Sequence, residues 1–332
     1  MGRSSCGSLS PAHDSPVNAT VIFGPHGAAT LGALVSAIPA RLNALLAALL
    51  LAAHGALLFA LPFLLRHDPR WAWAAAAVAA TSATLWSLLH EAIHGLLAPL
   101  RRWNELLGRA LGIAFGAPFA VLRAGHLLHH RYSRTARERT EVYDPARTTR
   151  LRAAPAYYLR LLGGMYLAEC AATFAALLPA RRLAAPRALA QLRVDSAAIA
   201  LAWGTSFWLY GENSLLLAAA IALRAFLVSF ADNAYHYGTA LDAPRAAKNV
   251  RAPRWLQAAL LNFTLHGVHH RHPGLPWTAL PRAFAAARLD YDEGYGACLA
   301  RQLGGPIAVS VLSRRPPPDL RRSASPRSAS HS

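Results

Sequence analysis

The chain has 332 residues, 54% of them hydrophobic, with a mean hydropathy of +0.25, which is more apolar surface than a soluble fold of this length needs to fill its core. Its formal charge of +18 comes from arginine, Lys248 being the only lysine; the arginines flank apolar runs and form no single basic domain, which speaks against nucleic-acid binding and for loops beside membrane spans and anionic headgroups. Cys6, Cys170 and Cys298 lie far apart with no C-x-x-C pair, which excludes a disulfide framework and a built-in thiolate-held iron–sulfur centre.

Residues 1–40 are rich in Ser, Pro, Gly and Ala and read as a loose lead-in. They match a signal peptide poorly, because a polar stretch with Pro and Gly precedes the first strong apolar run. A crossing takes about 20 mostly apolar residues, and the first such run covers 42–65. Arg66-His67-Asp68-Pro69-Arg70 then makes a polar turn, and Trp71 and Trp73 stand where interfacial aromatics stand. A second run over 71–89 leads into His90. These two runs predict a helical hairpin.

The Arg-dense stretch 101–153 contains one apolar segment, 106–122, which carries Gly108, Gly112, Gly116 and Pro118 and reads as interfacial. Further apolar stretches cover 156–179, 194–210 and 213–232. If His90 and His236 share a site, an even number of crossings must separate them. The simplest solution folds 194–210 and 213–232 into a hairpin around Gly211-Glu212-Asn213, a turn without Arg as expected outside. Segment 156–179, with Arg160 and Glu169, then lies along the membrane surface as an amphipathic helix; the alternative makes it a span and one later segment not.

A basic linker (Arg245, Lys248, Arg251, Arg254), a short apolar helix near 255–265 and an extension over 286–313 follow. The basic, low-complexity tail 314–332 is expected to be disordered. The predicted fold is an all-α integral membrane protein with about four transmembrane helices in two hairpins, interfacial helices and a histidine-rich cap, its main domain being 41–285.

Fifteen histidines are unevenly spread. Box one is His90-Glu91-Ala92-Ile93-His94, box two His126-Leu127-Leu128-His129-His130 and box three His266-Gly267-Val268-His269-His270, with His236 alone in Asp232-Asn233-Ala234-Tyr235-His236. On a helix, positions i, i+3 and i+4 share a face, so each H-x-x-H-H box offers three imidazoles to one side. His90 and His94 can reach one metal or two adjacent ones. Nine imidazoles exceed what one ion can use and suit two. Imidazole accepts iron, copper, zinc or nickel, so ligand type does not choose the metal. His13, His26, His54, His67 and His331 read as interfacial polar residues, and His272 is left outside the ligand set. Ionisable groups near a membrane core are costly and tend to mark function.

Two rival readings use part of this pattern. H-E-x-x-H is the motif of a zinc protease, with Glu91 as general base, but that leaves six imidazoles idle. A non-catalytic metal-binding or transport protein needs a polar path, yet the predicted spans hold few charges apart from Arg224.

H-x-x-x-H, H-x-x-H-H and H-x-x-H-H in this order, separated by apolar hairpins, resemble the membrane fatty-acid desaturase and hydroxylase superfamily over roughly 42–280. His236 resembles the ninth ligand that acyl-CoA desaturases carry at the end of their fourth span. The resemblance implies two iron ions held on the cytosolic face by His90, His94, His126, His129, His130, His236, His266, His269 and His270. It also implies dioxygen as oxidant and a lipid-like substrate, a fatty acyl chain first and a carotenoid or other apolar metabolite as the alternative. Electrons would come from a separate donor, a ferredoxin or a b-type cytochrome with its reductase. Two departures stand out. Glu91 replaces a common Asp, and Asp232 stands where acyl-CoA desaturases have an Asn that holds a metal through water; both are candidates for outer contacts to the ligands.

Overall fold

The computed structural model of the chain describes residues 38–164 and 186–313, apart from 136, 137, 139, 242, 244 and 245. The lead-in to residue 37, the larger part of 156–179 and the tail from 314 lie outside the described residues. The chain order is α1 (Ala40–His67), α2 (Pro69–Ile93), α3 (Arg101–Phe115), α4 (Phe119–Tyr132), β1 (Val142–Tyr143), α5 (Arg150–Leu159), α6 (Pro186–Tyr210), α7 (Ser214–Ala234), β2 (Val250–Arg251), α8 (Arg254–Ala259), α9 (His266–Arg271), α10 (Leu280–Ala286), β3 (Glu293–Gly294), α11 (Tyr295–Arg301) and β4 (Ile307–Ala308).

Helices α1 and α2 are long and apolar enough to cross a membrane, and Asp68 turns the chain between them by accepting from Arg70 N at 2.9 Å. Pro62 has no N–H to give the carbonyls behind it, and α1 widens there into a π turn over Ala56–Ala60. Tyr210 Oη donates to Leu57 O at 2.7 Å and Ser206 Oγ to Leu58 O at 2.9 Å. Hydrocarbon supplies no water for this, so the neighbouring helix must.

The apolar run Leu189–Ala234 is not one straight helix. Gly211 stands at φ +50°, and the Arg224 guanidinium lies over the Trp203 ring at 5.1 Å; a straight helix would hold those positions about 30 Å apart. The chain folds back at Gly211–Asn213, as expected, so α1, α2, α6 and α7 form two hairpins. Arg66 donates to Leu209 O at 3.1 Å, which puts both turns at one end and His90, His94 and His236 at the other. Leu49, Leu201, Trp208 and Leu215 point outward, as lipid-facing side chains do.

The stretch 106–122 departs from its expected place along the surface. Helices α3 and α4 meet at 97°, with Gly116 left-handed at φ +94° after α3 and Pro118 leading into α4. The bend is close-packed: a Cβ at Gly112 would come within 2.9 Å of Ala117 O, and one at Gly108 within 2.6 Å of the Phe119 ring. Its tip touches Arg224, which sits ten residues from either end of α7. The pair is therefore re-entrant. Its glycines and proline do not stop it short of the core, because α6 and α7 supply donors for the last carbonyls of α3.

His54 corrects a second expectation. It is fully buried at mid-span in α1, with Nδ1 2.9 Å from Arg224 and Nε2 3.2 Å from Thr81 Oγ1.

At the histidine end, short helices are tied by two parallel strand pairs, β1 with β4 and β2 with β3. Three tyrosine hydroxyls hold the segment before β4: Tyr157 donates to Gln302 O (2.7 Å), Tyr158 to Leu303 O (2.8 Å) and Tyr237 to Gly305 O (2.7 Å). The main apolar core, with Leu85, Leu89, Phe119, Val228 and Leu260, packs against the histidines.

Candidate metal centre

Box one ends α2, box two ends α4 and box three is α9 itself. Backbone contacts seat α9: Gly267 N donates to Lys248 O and Val268 N to Asn249 Oδ1, both at 3.0 Å. Position 267 has no room for a side chain, since a Cβ would lie 2.7 Å from Ala247 O.

The nine predicted imidazoles converge in two groups. His90, His94, His126, His130 and His269 form one; His129, His236, His266 and His270 form the other, and within each the ring nitrogens lie within 4.8 Å of one another. The helical period explains the division. In box two, His126 and His130, four apart, turn to the first group and His129 to the second. Box three does the reverse, sending His269 to the first and His266 and His270 to the second. The groups are adjacent, with His130 stacked on His270 at 4.3 Å. His272 belongs to neither.

The spacing fits a metal. Nε2 pairs in the first group stand 3.1 Å (His94, His126), 2.9 Å (His126, His130) and 3.0 Å (His130, His269) apart. In the second, His129, His236, His266 and His270 close a ring at 3.1, 3.1, 3.0 and 3.3 Å. A neutral imidazole has one N–H, so hydrogen bonds alone leave such a ring badly satisfied. Nitrogens about 2.1 Å from a first-row metal ion stand about 3.0 Å apart at right angles and about 3.4 Å apart at tetrahedral angles. His90 Nε2 is buried without a hydrogen-bond partner, a lone pair that an ion would use. Burial holds His236, His266 and His269 well below the usual imidazole range and takes His94 down to about 4, which keeps these rings in the neutral, ligating form.

Outer contacts decide which nitrogen faces inward. His236 Nδ1 donates to Ala246 O at 3.1 Å, and His129 Nδ1 pairs with the Glu138 carboxylate. Sequence reasoning missed Glu138. Its one signal is an acidic residue among Arg131, Arg134, Arg137 and Arg139.

A family model described as fatty acid desaturase matches residues 68–301, a range that contains every residue of both histidine groups. The chain belongs to the fatty acid desaturase family. That family consists of desaturase- and hydroxylase-type oxidoreductases of membranes, typically iron-dependent and acting on lipids. A search among curated proteins finds no match.

In this desaturase-family chain a cavity of about 450 Å³ lies against the centre, reaching it at His126, His129 and His236, with Trp86, Phe115 and Leu122 as its apolar wall. Much of its polar lining is satisfied internally. Asn233 accepts from Thr140 Oγ1 (3.0 Å) and donates to Gln302 Oε1 (2.9 Å), and Arg134 pairs with buried Glu141 at 2.7 Å. Asp232 lines the same cavity and accepts from Trp86 Nε1 at 3.2 Å. Glu91 accepts from Trp277 N at 3.2 Å, tying α2 to the loop after box three. That engagement, and the three further imidazoles grouped with His90 and His94, argue against the general-base role of a zinc protease.

Proposed function

We propose that the chain is a di-iron oxidoreductase that uses dioxygen to desaturate or hydroxylate an aliphatic, lipid-type substrate, with a fatty acyl chain as the substrate class. The observation that carries this reading is the five-and-four division of nine imidazoles at ligand spacing beside an apolar-walled cavity. Five and four donors suit two ions, and the family's typical iron dependence selects iron among the metals that imidazole accepts. His90, His94, His126, His130 and His269 would hold one ion; His129, His236, His266 and His270 would hold the other.

The chemistry such a pair supplies when bound is activation of dioxygen for removal of hydrogen from an unactivated C–H bond. The chain's own groups do the rest. Glu138 and Ala246 O keep the protons of His129 and His236 on Nδ1 and so aim Nε2 inward. Trp86, Phe115 and Leu122 bind the aliphatic chain and exclude water. Asn233 and Thr140 beside it are hydrogen-bonded to each other, and Asn233 also to Gln302. Asp232, between Trp86 and the second group, orients that side of the site.

The histidine face is assigned to the cytosol, where Arg-rich loops suit the positive-inside pattern. Electrons come from a separate protein, a ferredoxin or a b-type cytochrome with its reductase, steered by those cationic loops.

Metal analysis of anaerobically purified protein tests the reading directly. Two irons per chain are expected, and His130→Ala or His269→Ala should lower that content and abolish oxygen-dependent change in the acyl profile of producing cells. One zinc per chain, with an unchanged acyl profile, would sink the proposal.

A further inference from the structure

Arg224 is fully buried at the midpoint of α7, and the proposed chemistry does not use it. No carboxylate pairs with it among the described residues. Its Nη1 donates to Ala114 O and Phe115 O, 3.0 Å each, the last carbonyls of α3. A helix C-terminus carries about half a negative charge, so the re-entrant tip is itself the counter-charge. Trp203 Nε1 donates to Ile113 O at 3.0 Å, and its ring lies under the guanidinium at 5.1 Å. Nη2 is 2.9 Å from His54 Nδ1. An arginine only donates, so His54 accepts on Nδ1, carries its proton on Nε2 and donates to Thr81 Oγ1 (3.2 Å), which in turn donates to Val78 O (2.7 Å). One guanidinium thus joins α1, α2, α3, α6 and α7.

What it holds is a stiff unit. Gly108 and Gly112 allow α3 to pack directly on the start of α4. Glu105 on α3 pairs with Arg123 on α4 at 2.6 Å, and Arg123 covers Phe119 at 4.4 Å. Displacing the tip therefore displaces α4, which carries His126, His129 and His130. Phe115 also stacks on Trp86 at 5.7 Å, and Trp86 meets His126 edge-on at 6.3 Å.

We propose that Arg224 is a positioning residue for the histidine centre: by fixing the tip of the re-entrant pair at mid-membrane, it sets where α4 delivers the second histidine box. This rests on the reading of the imidazole groups as metal ligands.

The test compares the full-length chain with Arg224→Met, which keeps length but has no donors, and with Arg224→Lys, which keeps charge but cannot reach both carbonyls and His54 together. Hydrogen–deuterium exchange in lipid nanodiscs is read alongside anaerobic ferrous titration of the same samples. Backbone amides over 112–125 should exchange about tenfold faster in Arg224→Met, with Arg224→Lys between it and wild type, while α1 and α2 change little. Iron affinity should fall in the same order, by about tenfold in Arg224→Met.

Unchanged exchange over 112–125, or an equal rise across every helix, would overturn the proposal. If Arg224→Met does not accumulate as folded protein, Arg224→Lys decides on the same two readouts. If wild type itself takes up no iron, the metal-centre reading fails, and the local exchange pattern still decides whether Arg224 pins the tip.

Discussion

Each imidazole has two nitrogens, and the partner of the outer one decides whether the inner one faces a metal. For His129 that partner is Glu138. Glu138→Ala is expected to weaken metal binding about 10- to 100-fold, measured by anaerobic titration, whereas an unchanged affinity would show that packing alone orients His129. Arg134 and Glu141 form a buried pair, 2% and 0% exposed, beside the cavity. Arg134→Met strands the carboxylate and should cost about 3–5 kcal/mol, while Arg134→Met with Glu141→Leu should recover most of that; thermal unfolding in detergent checks both. The ligand candidates were legible in the chain because i, i+3 and i+4 spacing survives folding unchanged. Glu138 was not, because its partnership depends on the turn after α4, and nothing local separates it from other acidic residues.

At the level of elements, hydrophobic runs predicted the four long helices, and Gly211-Glu212-Asn213 correctly marked the return between α6 and α7. Hydropathy misplaces 106–122, since an apolar segment broken by Gly and Pro can lie on a membrane or dip into it. The deciding partners, Trp203 and Arg224, are about a hundred residues further along the chain. The π turn in α1 has the same character: Pro62 announces carbonyls without donors, but Tyr210 and Ser206 on α6 answer them. Tyr210→Phe should cost about 1 kcal/mol, and no measurable loss would mean that Leu57 O finds another donor. Gly267→Ala drives a Cβ into Ala247 O and Asn249 and should cost about 1–3 kcal/mol, with metal content falling because α9 itself is displaced.

The whole molecule places its two turns, at Asp68 and Gly211, on one side and its histidines on the other. In a background lacking Cys6 and Cys170, Glu212→Cys and Arg147→Cys should be labelled by membrane-impermeant reagents from opposite sides of sealed vesicles. Labelling of both from the same side would contradict the paired-hairpin arrangement.

Composition and periodicity alone determined that this chain sits in a membrane, that its long helices pair, and that three histidine boxes on or at the ends of helices, with His236 beside them, offer nine imidazoles. These properties follow from side-chain hydropathy and the 3.6-residue turn, which act locally. Only the tertiary structure decided how the imidazoles divide five and four, that α3 and α4 dip inward, and that His54 is a core residue. The first depends on which separate segments bring their rings together; the other two depend on a donor or acceptor brought from a distant part of the chain, because a membrane interior leaves buried polar groups no other way to be satisfied.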